Sequence, residues 1–178
     1  MFRDNSLIPT EAIRLAALGF LAEDKRRYGD LAAEIRHFTS RVAGPSLDLM
    51  GTSLELLRCE GLVAGEGGAD HVLLEITPSG RAALAALLQA RLRGSQGDYN
   101  RLALLLKLRF LHLLTEPERQ AQMAAIAASL ESELARLRDL RRHDARAPAP
   151  FVDWLDHDIA ALEEHLSSVR SATLRAAE

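Results

Sequence analysis

This chain has little cysteine, few aromatics and no surplus of positive charge, and each shortage excludes something. A single cysteine, Cys59, among 178 residues rules out an internal disulfide and predicts a reducing compartment. Aromatics make up only 4% against 48% hydrophobic residues. The core must therefore be built from leucine and alanine, the composition of packed helices. No apolar run reaches the roughly 18 residues that a membrane helix needs. The first residues show no charged segment followed by an apolar one. The expectation is a soluble, cytoplasmic protein without a membrane partner. The formal net charge is -3. Cutting the chain after residue 97 leaves eleven basic and twelve acidic residues before the cut, and eleven and thirteen after it. Phosphate neutralisation supplies most non-specific DNA affinity, so any DNA-binding surface here has to concentrate its cations locally. No Gly-rich phosphate loop, HExxH, GxSxG or paired-carboxylate frame occurs, and the six histidines fall in no motif. No enzyme, cofactor or metal is expected.

What is present is organised around Ser46–Arg81, which reads SLDLMGTSLELLRCEGLVAGEGGADHVLLEITPSGR. Leu47, Met50, Leu54 and Leu57 keep a helical apolar period. Glu60-Gly61-Leu62-Val63 ends that helix, because glycine tolerates the left-handed conformation that closes one. Two short apolar runs, Leu62-Val63 and Val72–Ile76, flank a Gly-rich turn from Gly65 to Asp70. Thr77 is placed to cap the next helix, with Pro78 at its first position. A helix, a hairpin and a helix within this span form the grammar of a winged helix.

Around that centre the periodicity predicts helices throughout. Pro9–Ala22 is apolar on much of its circumference, and Asp30–Phe38 carries Leu31, Ala32, Ile35 and Phe38 on one face. Glu23–Arg27 reads as a charged connector. A fourth helix runs from Pro78 to about Leu92, and Arg93–Asp98 is a Gly/Ser-rich boundary. The next helix, Asp98 to about Leu114, is apolar on nearly every side, interrupted by Lys107 and Arg109. Thr115-Glu116-Pro117-Glu118 has the spacing of a capping box and opens a helix to about Arg142. His143–Pro150 is a Pro-bearing turn, and a last helix runs from Phe151 to about Ala177. Met123, Ala127, Leu130, Leu134 and Leu137 step by heptads, as do Leu155, Ile159, Leu162, Leu166, Val169 and Thr173. Two such helices make an antiparallel pair and, with the apolar helix before them, point to a second copy as partner. The fold class is mostly α: an N-terminal winged helix-turn-helix (residues 1–93) and a C-terminal helical dimerisation domain (98–178).

Three pieces of sequence carry a family resemblance. They are Tyr28-Gly29-Asp30-Leu31-Ala32, the stretch LELLRCEGLV from Leu54 to Val63, and Ile76-Thr77-Pro78-Ser79-Gly80-Arg81. In this order, with a helical tail, the chain resembles the PadR-type winged-helix transcriptional regulators. They look like that family's opening of helix two, the end of its recognition helix and its wing exit. The resemblance implies homodimers on palindromic operators, usually repressors, some released by small molecules. The chain departs from the family at Asp48–Thr52, where Gly51 and Thr52 stand in place of a frequent Tyr-Pro pair.

The candidate DNA contacts follow from charge and position. Lys25, Arg26, Arg27 and Tyr28 precede or open helix two, whose N-terminus faces phosphate in a winged helix. Ser46, Asp48, Thr52, Ser53 and Arg58 lie on or beside the third helix, away from its apolar stripe. His71 and Arg81 flank the wing, whose tip holds Glu66 and Asp70 but no cation. The dimerisation candidates are Leu105, Leu108, Leu130, Leu134, Leu155, Ile159, Leu162, Leu166 and Val169. Asp153 and His157 share a helix face, but acids near a helix N-terminus are expected without a metal. Cys59 is expected to be a buried, inert thiol, and Trp154 a packing anchor. The partners that follow are operator DNA, a second copy and, as an open option, a small hydrophobic or phenolic effector. The rival reading is a winged helix used for protein contacts, favoured by the neutral head and acidic wing tip.

Overall fold

The structure is a computed structural model that describes residues 9–43, 50–66, 72–92, 98–144 and 146–176. The elements run α1 (Pro9–Glu23), β1 (Arg26–Arg27), α2 (Tyr28–Ala43), α3 (Met50–Cys59), β2 (Val63–Glu66), β3 (Leu73–Ile76), α4 (Pro78–Gln89), α5 (Asp98–Phe110), α6 (Glu116–His143) and α7 (Ala149–Ala176). A 3-10 turn, Leu111–Leu113, follows α5. No helix among the described residues is long and apolar enough to cross a membrane.

The chain falls into two compact units, residues 1–115 and 116–178. The sequence places its linker at Arg93–Asp98, but α5 packs against α1 and α2 and so belongs to the first unit by compactness. In that unit α1 is the central post. Ala12, Ile13, Leu15, Ala16, Ala17, Leu18, Phe20 and Leu21 are all buried, and the helix touches α2, α3, α4, α5 and β3. A helix apolar on nearly all sides has to be surrounded in this way. Phe20 meets Phe110 of α5 edge to face, with centroids 5.1 Å apart. Arg109 pairs with Glu23 through both guanidinium nitrogens and lies over both rings.

Lys107 does not merely interrupt α5. Its side chain is fully buried. Its Nζ donates to the carbonyls of Leu87, Leu88 and Ala90, at 3.2 Å to Leu87 and 2.6 Å to Ala90. These carbonyls lie in the last turn of α4 and at its C-cap, Ala90, and a cation suits the negative end of the helix dipole. Burial lowers the lysine pKa from 10.5 to about 8.

The sheet is three-stranded and antiparallel, in the order β1-β3-β2. β2 pairs with β3 in the register Val63↔Ile76 to Glu66↔Leu73, and β1 adds Arg26↔Leu74 and Arg27↔Leu73. The charged connector expected at Glu23–Arg27 thus supplies an edge strand. Along β3, Leu74 and Ile76 turn inward while Leu73 and Glu75 face out.

In the second unit α6 and α7 pack along each other. Leu130, Leu134, Leu155, Leu166 and Val169 are buried, and Ile159 and Leu162 are half-buried. Arg138–Glu163, Arg141–Asp156 and Arg170–Glu131 pair across the two helices. Pro150 lies in the first turn of α7, where a missing N–H is harmless. Trp154 is 67% exposed, so within one chain it anchors no core. The heptad positions, one face away, take that role.

Candidate nucleic-acid interface

The candidate surface is built around the end of α3. Leu54 and Leu57 bury into the core and fix which face of α3 turns outward. The helix then stops by a two-bond closure. The Leu62 N–H donates to the Leu57 carbonyl at 2.9 Å and the Gly61 N–H to the Arg58 carbonyl at 3.0 Å. Gly61 takes φ +70°, a conformation in which a side chain is strained. The next residues enter β2, so the direction of the wing strand is set by the closure of α3.

The return of the chain is fastened to the same two residues. Thr77 donates its hydroxyl to the Gly61 carbonyl at 2.7 Å, and its N–H to the Leu62 carbonyl at 3.1 Å. The same hydroxyl accepts from the Gly80 N–H at 3.0 Å, capping α4. Gly80 packs so closely that an added Cβ would lie 2.1 Å from the Leu62 oxygen. The sequence pattern "EGL…TxxG" therefore has a mechanical meaning here: it joins the end of α3, both wing strands and the start of α4. Arg14 of α1 completes the junction with a two-pronged pair to Glu60.

The expected contact residues are distributed as follows. Lys25 pairs with Glu75 of β3 at 2.6 Å, Arg26 pairs with Glu34 of α2, and Arg58 sits 3.6 Å from Glu55 on α3. Arg26 also lies over the Phe20 ring, 5.6 Å from its centroid. Arg27 is exposed on β1 and Arg81 is exposed on α4. Tyr28 opens α2 and is partly buried against the core. Thr52 and Ser53 belong to the first turns of α3. Ser46, Asp48 and His71 lie outside the described residues, as does most of the wing tip. Cys59 is exposed, not buried; it sits off the Leu54–Leu57 stripe in the last turn. Of the dimerisation candidates in the first unit, Leu105 is half-buried and Leu108 is 36% exposed. Among the described residues no group of three His, Cys, Asp or Glu side chains could hold a metal.

Sequence reasoning passed over the outer face of α2. Leu31, Ile35 and Thr39 are buried, and Arg36, His37 and Arg41 are exposed on the other side. A helical projection of 28–43 would have revealed these three together, since all avoid the apolar stripe.

Residues 2–173 match the family described as "Putative AphA-like transcriptional regulator". The chain belongs to this family, whose members are PadR-type transcriptional regulators. That span covers both units, so the winged head and the helical tail enter the match together. No curated protein matches the chain. Among solved structures, it is similar to smu.1604c from Streptococcus mutans UA159 at 16% identity and a TM-score of 0.41, covering 89% of this chain and 96% of that one. It is also similar to Bacillus subtilis PadR at 16% identity and a TM-score of 0.42, covering 97% and 99%. The complex of that protein with p-coumaric acid gives the same identity and coverage, with a TM-score of 0.38.

Proposed function

We propose that this AphA-like chain is a homodimeric DNA-binding repressor acting on a pseudopalindromic operator. The head, residues 1–93, reads DNA with α3 and its flanks. The helical region from residue 98 onward brings in a second copy, with α6 and α7 at its centre. The single observation that carries the reading is the junction of Gly61, Thr77 and Gly80. It holds α3 and the wing strands in one fixed relation, as a groove-reading element needs. Two-fold symmetry then predicts half-sites about one helical turn apart.

The test is a gel shift over a salt series with the DNA upstream of the chain's own gene, alongside sedimentation at micromolar concentration. A steep salt dependence, a footprint with two half-sites and a dimeric mass support the proposal. A monomer, or no retardation at low salt, refutes it. The pairing of Lys25, Arg26 and Arg58 with carboxylates favours one other reading, a winged helix that contacts protein. A stable partner in pull-down with no DNA binding would select it. The effector we propose is a small hydrophobic or phenolic molecule, to be sought as a saturable thermal shift.

A further inference from the structure

Some described cations of the first unit are occupied by carboxylates and others are exposed; of the exposed ones, Arg27, Arg81, Arg91 and Arg101 stand singly on separate stretches of the chain. Arg14, Lys25, Arg26, Arg58 and Arg109 are each spent on a carboxylate of the same unit. Arg36 and Arg41 of α2 are exposed and have no carboxylate partner among the described residues. His37 is exposed between them. The one acid in the middle of α2, Glu34, is occupied by Arg26; Asp30 lies more than a turn away from Arg36, in the first turn. Two exposed arginines and a histidine thus gather on the outer side of α2, away from its buried Leu31, Ile35 and Thr39.

The position of that strip matters as much as its sign. α2 packs against α3. Arg36, His37 and Arg41 occupy its C-terminal half, from which the chain passes at Ala43 towards α3, entered at Met50. In a helix-turn-helix the N-terminal end of the reading helix enters the major groove. Side chains beside that end meet the wall of the groove, which is phosphate. An arginine guanidinium matches phosphate oxygens with paired N–H donors, and an imidazole offers a further N–H.

We propose that Arg36, His37 and Arg41 form a phosphate-binding strip on α2 that grips the DNA backbone beside the groove entered by α3. The strip rests on the DNA-binding reading above and adds residues to it. These contacts carry no base information, so they set affinity and register rather than operator choice.

The experiment compares the full-length protein with R36A/R41A on the upstream duplex and on an unrelated duplex, across a salt series. Two lost phosphate contacts lower the slope of log K against log salt by about 2 and weaken both duplexes alike. R36K/R41K, which keeps the charge, should recover most of the slope. Thermal melts of the variants should match the parent, since both side chains are exposed. A parent that binds with a slope R36A/R41A leaves unchanged overturns the strip alone. Weakening confined to the operator would also overturn it, since that marks base readout. A parent that retards neither duplex at low salt overturns the DNA-binding reading and the strip with it.

Discussion

Gly80 rests against the carbonyl oxygen of Leu62, with no room between them for a methyl group. The approach joins the first turn of α4 to the residue immediately after the α3 closure. Backbone meets backbone here, so neither side can rotate away as a side chain would.

Gly80→Ala should therefore be among the most damaging small substitutions in the first unit. Overpacking costs about 1–3 kcal/mol where neighbours can move, and a backbone carbonyl cannot easily do so. A loss of about 3 kcal/mol is expected, read as a lower urea midpoint. The carbonyl of Leu62 also accepts from the Thr77 N–H, so moving it would break a second contact.

Thr77→Val keeps the shape of the cap and removes its oxygen. The Gly80 N–H loses its acceptor and the Gly61 carbonyl loses a donor. Loss of an N-cap costs about 1 kcal/mol and an unmet buried partner adds to it, so about 1–2 kcal/mol is expected in the same denaturation. Serine at this position should restore most of it.

Gly61→Ala tests the closure of α3 separately. Nothing lies within 4 Å of a Cβ built there, so the penalty comes from φ +70° alone. A cost of about 1 kcal/mol is expected, with Gly61→Asn costing less. If the closure aims α3 and the wing, DNA affinity should fall by more than the stability change accounts for.

Lys107→Met removes the donor from three carbonyls at the end of α4. About 2 kcal/mol of stability should be lost near neutral pH, since buried hydrogen bonds, that to the Ala90 carbonyl among them, disappear. The pH dependence has a definite sign. The folded pKa is about 8, below the ordinary 10.5. Between those values the unfolded chain holds the proton that the folded chain has released, so the lysine's contribution to stability rises with pH. The gap between parent and Lys107→Met should widen from pH 8 to pH 10.5 in paired denaturation curves. A gap that stays constant would show that this lysine does not titrate on its own in the fold.

Local rules carried the sequence reading a long way. The stops and starts at Gly61, Thr77 and Pro78 fall where capping chemistry places them, and the helices α1, α4, α6 and α7 follow their apolar periods. What could not be read was contact between distant segments. Arg26–Arg27 form a strand only because β3 presents a free edge more than forty residues later. Lys107 reads as a flaw in an apolar helix until the end of α4 is placed beneath it. Periodicity says that α5 is buried, yet not by which unit. Nor does the sequence show that Lys25 would be spent on Glu75. Which cations stay available to a ligand is therefore a property of the fold. Ser46, Asp48 and His71 lie outside the described residues.

Because β1 runs into α2 at Tyr28 with no residue between them, and β1 is also the edge of the wing's sheet, hairpin and helix share a seam. Tilting the hairpin against α2 therefore requires the Arg26–Leu74 and Arg27–Leu73 pairing either to break or to carry the start of the helix with it.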